Sequence, residues 1–243
     1  MSDPIYAIGD IHGQLDELNR VLDLVERDGG PEARIVFLGD YVDRGPASRA
    51  VIDRLIEGRA AHRNWTYLLG NHDRMFSWFM EQMPRHDPHL LVGYHWLHER
   101  LGGSTTLASY GVEIPDRIRL QDLQAEALNA VPPAHLAFLN SLKPYHLVKN
   151  VLFVHAGIRP EIPLAAQQEN DLVWIREEFH QFHDPHPWLV VHGHTPVAHA
   201  TDYGNRINLD TGAGYGKPLT AAVFDGEGRF VLTNQGRKVI SAG

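Results

Sequence analysis

The amino-acid sequence predicts an α/β fold in which two packed mixed β-sheets are flanked by helices. Short apolar runs at residues 5–8, 34–38 and 65–69 each end in glycine followed by polar residues. Segments with helical spacing of apolar residues separate these runs, which indicates βαβ units with parallel strands and right-handed crossovers. Short strands separated by glycine turns return in the last third of the chain, and they indicate a second group of strands.

Two helices are predicted between the first three strands. Residues 14–28 carry apolar side chains three or four positions apart, and a Gly-Gly-Pro sequence at residues 29–31 ends the pattern. The same spacing recurs over residues 47–61. Each helix can therefore bury one face against the sheet.

The last third of the chain contains five further candidate strands. Two of them, residues 151–154 and 188–191, are apolar runs that end in histidine-containing turns. The other three, residues 206–210, 219–225 and 230–234, are interpreted as antiparallel strands with glycine turns.

The middle of the chain, about residues 75–149, has a different pattern. Amphipathic segments lie around residues 89–101, 121–130 and 134–142, with proline and glycine between them. We interpret this region as a helical insertion within a single domain spanning residues 1–243. It serves either as a cover for the core or as a lid that selects substrate.

Composition excludes several classes of function. The 243 residues are 43% apolar, enough for a sizeable core, and the formal net charge is -8. That charge argues against stable nucleic-acid binding and against binding to anionic membranes. No apolar run is long enough to span a bilayer, and the first residues do not resemble a secretory signal. The absence of cysteine fits a reducing compartment, so we expect a cytoplasmic location.

Polar side chains suited to binding metal ions follow five of the predicted strands. Open α/β sheets place their ligands at the carboxyl ends of strands, so these side chains are expected to meet at one rim. Oxygen and nitrogen ligands without sulfur suit Mn²⁺, Fe or Zn²⁺, and we expect two divalent ions, with Mn²⁺ as the first choice. The loops carry Asp10 and His12; Asp40, Asp43 and Arg44; Asn71 and His72; His155; and His194.

One arrangement uses all of the candidate ligands, with Asp40 bridging two ions because a carboxylate has two oxygens. Two divalent cations outweigh two carboxylates, so the site keeps a positive charge that favours a bridging hydroxide and attracts phosphate. The first ion is assigned to Asp10, His12 and Asp40, and the second to Asp40, Asn71, His155 and His194.

The reaction expected from this arrangement is hydrolysis of a phosphate ester. The bridging hydroxide attacks phosphorus in line with the leaving oxygen, His72 acts as general acid, and Asp43 orients His72. Arg44 and Arg176 bind the other phosphoryl oxygens. Arg176 lies in a segment interpreted as a helix, where an arginine is often only solvated.

Each of these residues also has a structural interpretation. Asp10 and Asp40 could cap the helices that follow them. His155 and His192 could be hydrogen-bonded core histidines, and Asn71 could be a turn residue. For His192 we favour either that interpretation or a role in supporting the metal-binding residues. Five such loops, all at strand ends, favour the catalytic interpretation.

The chain resembles the PPP-type serine/threonine protein phosphatases of the calcineurin-like metallophosphoesterase superfamily. The resemblance implies a four-layer α/β-β/α sandwich, a dinuclear metal site and the residue roles given above. The motifs that carry it, in family order, are GDIHG at 9–13, GDYVDRG at 39–45, GNHD at 70–73, HAG at 155–157 and GHT at 193–195.

Some features depart from this resemblance or extend it. The third motif usually ends in Glu, and the shorter Asp73 is expected to loosen the hydrogen bonds that hold the loop. Other branches of the superfamily have a second histidine where Pro196 stands, so the first ion should keep open water positions. The chain also resembles the symmetrical diadenosine tetraphosphatases, which usually lack an aspartate at the position of Asp43.

Three functional hypotheses follow. Asp43 favours a phosphatase of the serine/threonine type acting on a phosphorylated protein or a small phosphate ester. The alternative is a dinucleoside polyphosphate hydrolase acting on a nucleotide such as diadenosine tetraphosphate. The third is a catalytically silent phosphate-binding module.

Overall fold

Two mixed β-sheets of six strands each form the centre of the structure, a computed structural model that describes residues 4–243. This confirms the predicted α/β class with two mixed sheets. The strands are β1 (Ile5–Ile8), β2 (Arg34–Phe37), β3 (Trp65–Tyr67), β4 (Tyr145–Val148), β5 (Val151–Val154), β6 (Leu189–His192), β7 (Thr201–Asp202), β8 (Arg206–Asn208), β9 (Ala221–Phe224), β10 (Arg229–Thr233), β11 (Gly236–Val239) and β12 (Ser241–Ala242).

The first sheet has the order β11-β10-β9-β1-β2-β3, and the second has the order β12-β7-β8-β6-β5-β4. Strands β1, β2 and β3 are parallel, and so are β5, β6 and β8. The carboxyl ends of these strands are therefore the places where loops can carry a common site.

Helices cover the outer face of each sheet, which gives four layers. Along β1, the side chains of Ile5 and Ala7 pack between the two sheets, whereas those of Tyr6 and Ile8 face the outer helices. The helices are α1 (Leu15–Gly29), α2 (Ser48–Ala60), α3 (Asn71–Phe79), α4 (Gly103–Ser109), α5 (Leu120–Ala130), α6 (Pro133–Leu139), α7 (Glu169–Trp174) and α8 (Glu177–His180), with 3-10 turns at Leu164–Ala166 and Ala213–Tyr215.

The structure corrects one strand direction and adds four strands. Strand β8 was predicted to be antiparallel; it is antiparallel to β7 but parallel to β6. Strands β4, β7, β11 and β12 were not predicted from the sequence. These strands are short or lie near sheet edges, where exposed side chains weaken the alternating apolar pattern.

The middle of the chain is helical over two of the three predicted segments. Helices α5 and α6 match the patterns at residues 121–130 and 134–142, but residues 89–101 form a series of turns. The apolar side chains of Leu91 and Val92 are exposed there, and Gly93 adopts a left-handed φ of 85° that interrupts a helix. Among residues 4–243, no helix has both the length and the apolar character needed to cross a membrane.

Phe153 tests how much the packing between the sheets contributes to stability. Its side chain is fully buried, and its ring packs edge-to-face on Phe224 of the opposite sheet, with centroids 5.9 Å apart. We expect Phe153→Ala to lower the free energy of unfolding by about 3–5 kcal/mol because it leaves a cavity between the sheets. Urea denaturation measures this, with the exposed Val239→Ala as control; equal midpoints for the two variants would contradict the expectation.

Candidate active site and metal centre

Loops at the carboxyl ends of β1, β2, β3, β5 and β6 meet at one rim of the two sheets. Asn71 and His72 form the first turn of α3, directly after β3, whereas the other candidate residues lie in the loops themselves. The structure brings five of the predicted residues together as two groups that share one carboxylate, whereas Asp10 lies outside both groups and accepts the backbone N–H of His194 at 3.0 Å. The groups are His12, Asp40 and His72, and Asp40, His155 and His194.

Asp40 lies at the centre of the site and is buried. Its Oδ2 is 3.5 Å from Nε2 of His12 and 3.5 Å from Nε2 of His155. Its Oδ1 accepts a hydrogen bond of 2.9 Å from the backbone N–H of His72. One carboxylate thus faces both groups of candidate ligands.

Backbone carbonyls determine which ring nitrogens of two histidines carry protons. Nδ1 of His12 donates to the carbonyl of Val42 at 2.8 Å, and Nδ1 of His155 donates to the carbonyl of Leu38 at 2.9 Å. A carbonyl oxygen only accepts, so each neutral ring presents the lone pair of Nε2 toward Asp40. This is the arrangement found for metal-binding histidines, whose other nitrogen is held by an acceptor.

Nε2 of His155 and Oδ1 of Asn71 face each other as acceptors, and two further buried polar atoms of the site lack a hydrogen-bond partner. Oδ1 of Asn71 lies 3.0 Å from Nε2 of His155 and 3.0 Å from Nδ1 of His194. Within the described residues, Oδ1 of Asp10 and Nε2 of His194 are buried without a hydrogen-bond partner. Such atoms are costly to bury unless a cation binds them, so the donor set fits divalent metal ions.

The pKa shifts agree with a site built for cations. Burial lowers the pKa values of His12, His155 and His194, so these imidazoles are neutral and able to bind a metal ion. Burial raises the pKa of Asp10, and the neighbouring Asp210 and Asp40 carboxylates raise it further. A bound cation would favour the ionised form of such a carboxyl group.

His72, a member of the first group, forms a buried pair with Asp43. Nδ1 of His72 lies 2.6 Å from Oδ2 of Asp43, and Nε2 lies 3.1 Å from Nη2 of Arg44. Arg44 also donates from Nη1 to Nε2 of His12 at 2.7 Å. The guanidinium of Arg44 therefore contacts the imidazoles of both His12 and His72.

Arg176 reaches the same rim, but it does not lie within a helix as the sequence analysis assumed. It stands between α7 and α8, where its backbone angles of φ -133° and ψ -88° interrupt the helical path. Its exposed side chain donates to Oγ1 of Thr195 at 2.8 Å, next to His194.

Asp73 holds the loops firmly, so the expectation that it would loosen them is wrong. Its carboxylate accepts hydrogen bonds from the backbone N–H groups of Asp40 at 2.7 Å, Tyr41 at 2.8 Å and Gly70 at 3.0 Å. The shorter side chain suffices because α3 begins directly beside the loop after β2.

The backbone of the site is strained. Five predicted site residues adopt left-handed φ angles, which residues with side chains rarely do. A Cβ on Gly193 would lie 2.0 Å from Oδ1 of Asp10, so glycine is required where the loops approach each other. The five residues are His12 (48°), Asp40 (52°), Asp43 (72°), Arg44 (68°) and His194 (68°).

His192 lies outside the two groups of candidate ligands. It is buried, and its Nε2 accepts a hydrogen bond of 3.2 Å from Arg206. Burial and this arginine lower the pKa of His192, which makes it a neutral histidine of the core.

Four side chains near the site were not predicted. Burial raises the pKa of Asp210, which follows β8, to about 6. The Tyr215 ring is 60% exposed, with the Arg44 guanidinium 4.7 Å from its centroid. Trp96 and Thr106 donate to the carboxylate of Asp43. The strand-end pattern could have found Asp210, whereas no local pattern marks the other three.

Comparison with known proteins identifies the family. The family described as "Calcineurin-like phosphoesterase" matches residues 3–224, so the chain belongs to that family of metallophosphoesterase hydrolases. Two relatives are named Bis(5'-nucleosyl)-tetraphosphatase PrpE [asymmetrical]. The Bacillus cereus protein is 25% identical, over 88% of this chain and 87% of its own length. The Bacillus subtilis protein is 27% identical, over 89% of each chain.

Other similarities are more local or concern the fold alone. A Caenorhabditis elegans protein named as a serine/threonine-protein phosphatase, C06A1.3, is 48% identical over 71 residues, which are 29% of this chain and 19% of its own. A crystal structure described as a diadenosine tetraphosphatase superposes with a TM-score of 0.66 at 22% identity, covering 96% of this chain and 94% of its own. The two Bacillus tetraphosphatase relatives carry the asymmetrical designation, not the symmetrical one suggested by the sequence.

Removing the Asp73 carboxylate should destabilise the site loops. Asp73→Ala leaves three buried N–H groups without an acceptor, so we expect the free energy of unfolding to fall by at least about 2 kcal/mol. Urea denaturation of the metal-free protein measures this, and the exposed Asp116→Ala serves as control. Equal stability of the two variants would contradict the role of Asp73.

Proposed function

We propose that this protein is a metal-dependent phosphoesterase that hydrolyses dinucleoside polyphosphates of the diadenosine tetraphosphate class. The observation that carries the catalytic part is the two groups of side chains that share Asp40, together with the hydrogen bond between His72 and Asp43. We assign Asp10, His12 and Asp40 to the first metal ion, and Asp40, Asn71, His155 and His194 to the second.

When bound, two divalent cations, with Mn²⁺ as the first choice and Fe or Zn²⁺ as alternatives, would activate a water molecule and neutralise phosphate charge. The chain contributes neutral donors at most positions, because burial keeps the histidines unprotonated and Asn71 binds through a carbonyl oxygen. The site therefore retains positive charge for an anionic substrate.

His72 is assigned as the general acid. Asp43 accepts a hydrogen bond from Nδ1–H, so Nε2 is the ring nitrogen that delivers a proton to the leaving oxygen. Arg44 lies 3.1 Å from that Nε2, which supports its assignment to the transferred phosphoryl group. Arg176, at the same rim, is assigned to a second non-bridging oxygen.

Two observations support a nucleotide substrate. The relatives that align along nearly the whole chain are named tetraphosphatases. Beside Arg44, the exposed ring of Tyr215 offers an aromatic surface on which a nucleobase could stack.

A phosphomonoesterase of the serine/threonine phosphatase type is the second candidate. The His72–Asp43 pair favours it, because a serine or threonine alkoxide is a poor leaving group that requires a proton. The local 48% identity to a protein named as a phosphatase also supports it. A silent phosphate-binding module is disfavoured, because such a module needs no proton donor.

Substrate preference separates the two candidates. With Mn²⁺ present, we expect kcat/KM for diadenosine tetraphosphate to exceed that for a phosphoserine peptide, and all activity to disappear with chelator and return with Mn²⁺. Chromatography of the products distinguishes asymmetrical cleavage into ATP and AMP from symmetrical cleavage into two ADP. A faster phosphopeptide would favour the second candidate, and activity indifferent to chelator would overturn the metal-dependent mechanism.

The shared carboxylate can be tested by metal content. We expect Asp40→Asn to lose both metal ions and nearly all activity, because one uncharged oxygen cannot replace a bridging carboxylate. Elemental analysis after dialysis measures the content, with the half-exposed Asp53→Asn as control. An Asp40 variant that keeps two ions per chain would exclude the bridging role.

A further inference from the structure

The Asp43 carboxylate accepts hydrogen bonds from Trp96 and Thr106 as well as from His72. Its carboxylate is fully buried, and Oδ2 accepts both Nδ1–H of His72 at 2.6 Å and Nε1–H of Trp96 at 2.8 Å. Its Oδ1 accepts the hydroxyl of Thr106 at 2.7 Å. Trp96 and Thr106 both belong to the middle of the chain, residues 75–149, for which the proposed function gives no role.

Trp96 is held in place by its own packing. Its ring stacks on Phe76, with centroids 5.2 Å apart and an interplanar angle of 18°, and it contacts Phe79 at 4.9 Å. Both phenylalanines lie on α3, the helix that begins with Asn71 and His72. A Cβ on Gly103 would lie 2.6 Å from the Trp96 ring, so α4 closes the other side. Helix α3 therefore carries the imidazole of His72 and also the two rings against which the Trp96 indole packs.

We propose that Trp96 is a positioning residue for the general acid. Its indole N–H, together with the Thr106 hydroxyl, holds the Asp43 carboxylate in the orientation that aligns His72 with the leaving oxygen. The inference rests on the proposed function, in which His72 supplies that proton. An indole N–H only donates, so Trp96 cannot take the proton itself, and donors on both oxygens prevent rotation of the carboxylate.

The proposal predicts an effect that depends on the leaving group. A general acid contributes most when the leaving oxygen is basic and little when it departs readily as an anion. Loss of alignment should therefore slow hydrolysis of phenyl phosphate much more than hydrolysis of 2,4-dinitrophenyl phosphate. A purely structural role would lower both rates by the same factor.

Trp96→Phe tests this, because it keeps an aromatic ring against Phe76 and Phe79 but removes the N–H donor. We expect kcat for phenyl phosphate to fall by about 10-fold or more, and kcat for 2,4-dinitrophenyl phosphate by less than about 2-fold. Trp65→Phe is the matched control and should change neither rate, because Trp65 begins β3 at the end away from the site. Equal losses on both esters in Trp96→Phe would overturn the proposal. If Trp96→Phe does not fold, Thr106→Val can be tested in the same way, because it removes the donor to Oδ1 of Asp43.

A double-mutant cycle shows whether Trp96 acts through His72. Adding Trp96→Phe to His72→Asn should cause no further loss on phenyl phosphate, and a full additional loss would contradict the inference. If His72→Asn itself affects both esters equally, the general-acid assignment fails and the inference fails with it. If His72→Asn is selective and Trp96→Phe is not, only the positioning role fails.

A readout independent of activity completes the test. The indole N–H resonance of Trp96 in ¹H–¹⁵N spectra should move in Asp43→Asn, because the charged acceptor is lost, while the resonance of Trp65 stays in place. An unmoved Trp96 resonance would overturn the hydrogen bond on which the inference depends.

Discussion

The burial of the Asp40 carboxylate constrains the whole rim of the molecule. Its oxygens face two imidazole nitrogens and a helix N–H, and its own backbone N–H is held by Asp73. Buried polar and charged groups are stable in a dry interior only when their hydrogen-bond partners are placed accurately or when cations bind them. The left-handed φ angles of the site residues and the close approach of the loops at glycine bring these polar groups into position.

The two sheets make such a concentration of ligands attainable. Strands β1, β2 and β3 deliver one set of loops, and β5 and β6 deliver another from a part of the chain more than 80 residues away, as the contact between His155 and Asn71 shows. The hydrogen bond from Nδ1 of His155 to the carbonyl of Leu38 crosses from the second sheet to the first. Packing between the sheets therefore also orients an imidazole of the site.

The middle of the chain acts on one side of the site. Trp96 and Thr106 reach Asp43, and the carbonyl of Gly102 accepts a hydrogen bond of 3.3 Å from the backbone N–H of Arg44. Residues of this segment thus shape the surroundings of His72, whereas His12, Asp40, His155 and His194 lie in loops that follow strands of the sheets. The exposed Leu91 and Val92 lie on the same stretch but do not join the core.

The sequence by itself determined the α/β class, the two-sheet architecture, most strands and the family. It also indicated the candidate residues at strand ends, because each loop repeats a local pattern of apolar strand, glycine and polar ligands. The tertiary structure decided the direction of β8 relative to β6, the edge strands, the turns at residues 89–101 and the contacts of Asp43. Those contacts join residues 53 and 63 positions apart in the sequence, and strand pairing is likewise non-local. Short-range sequence patterns therefore cannot predict the contacts or the pairing.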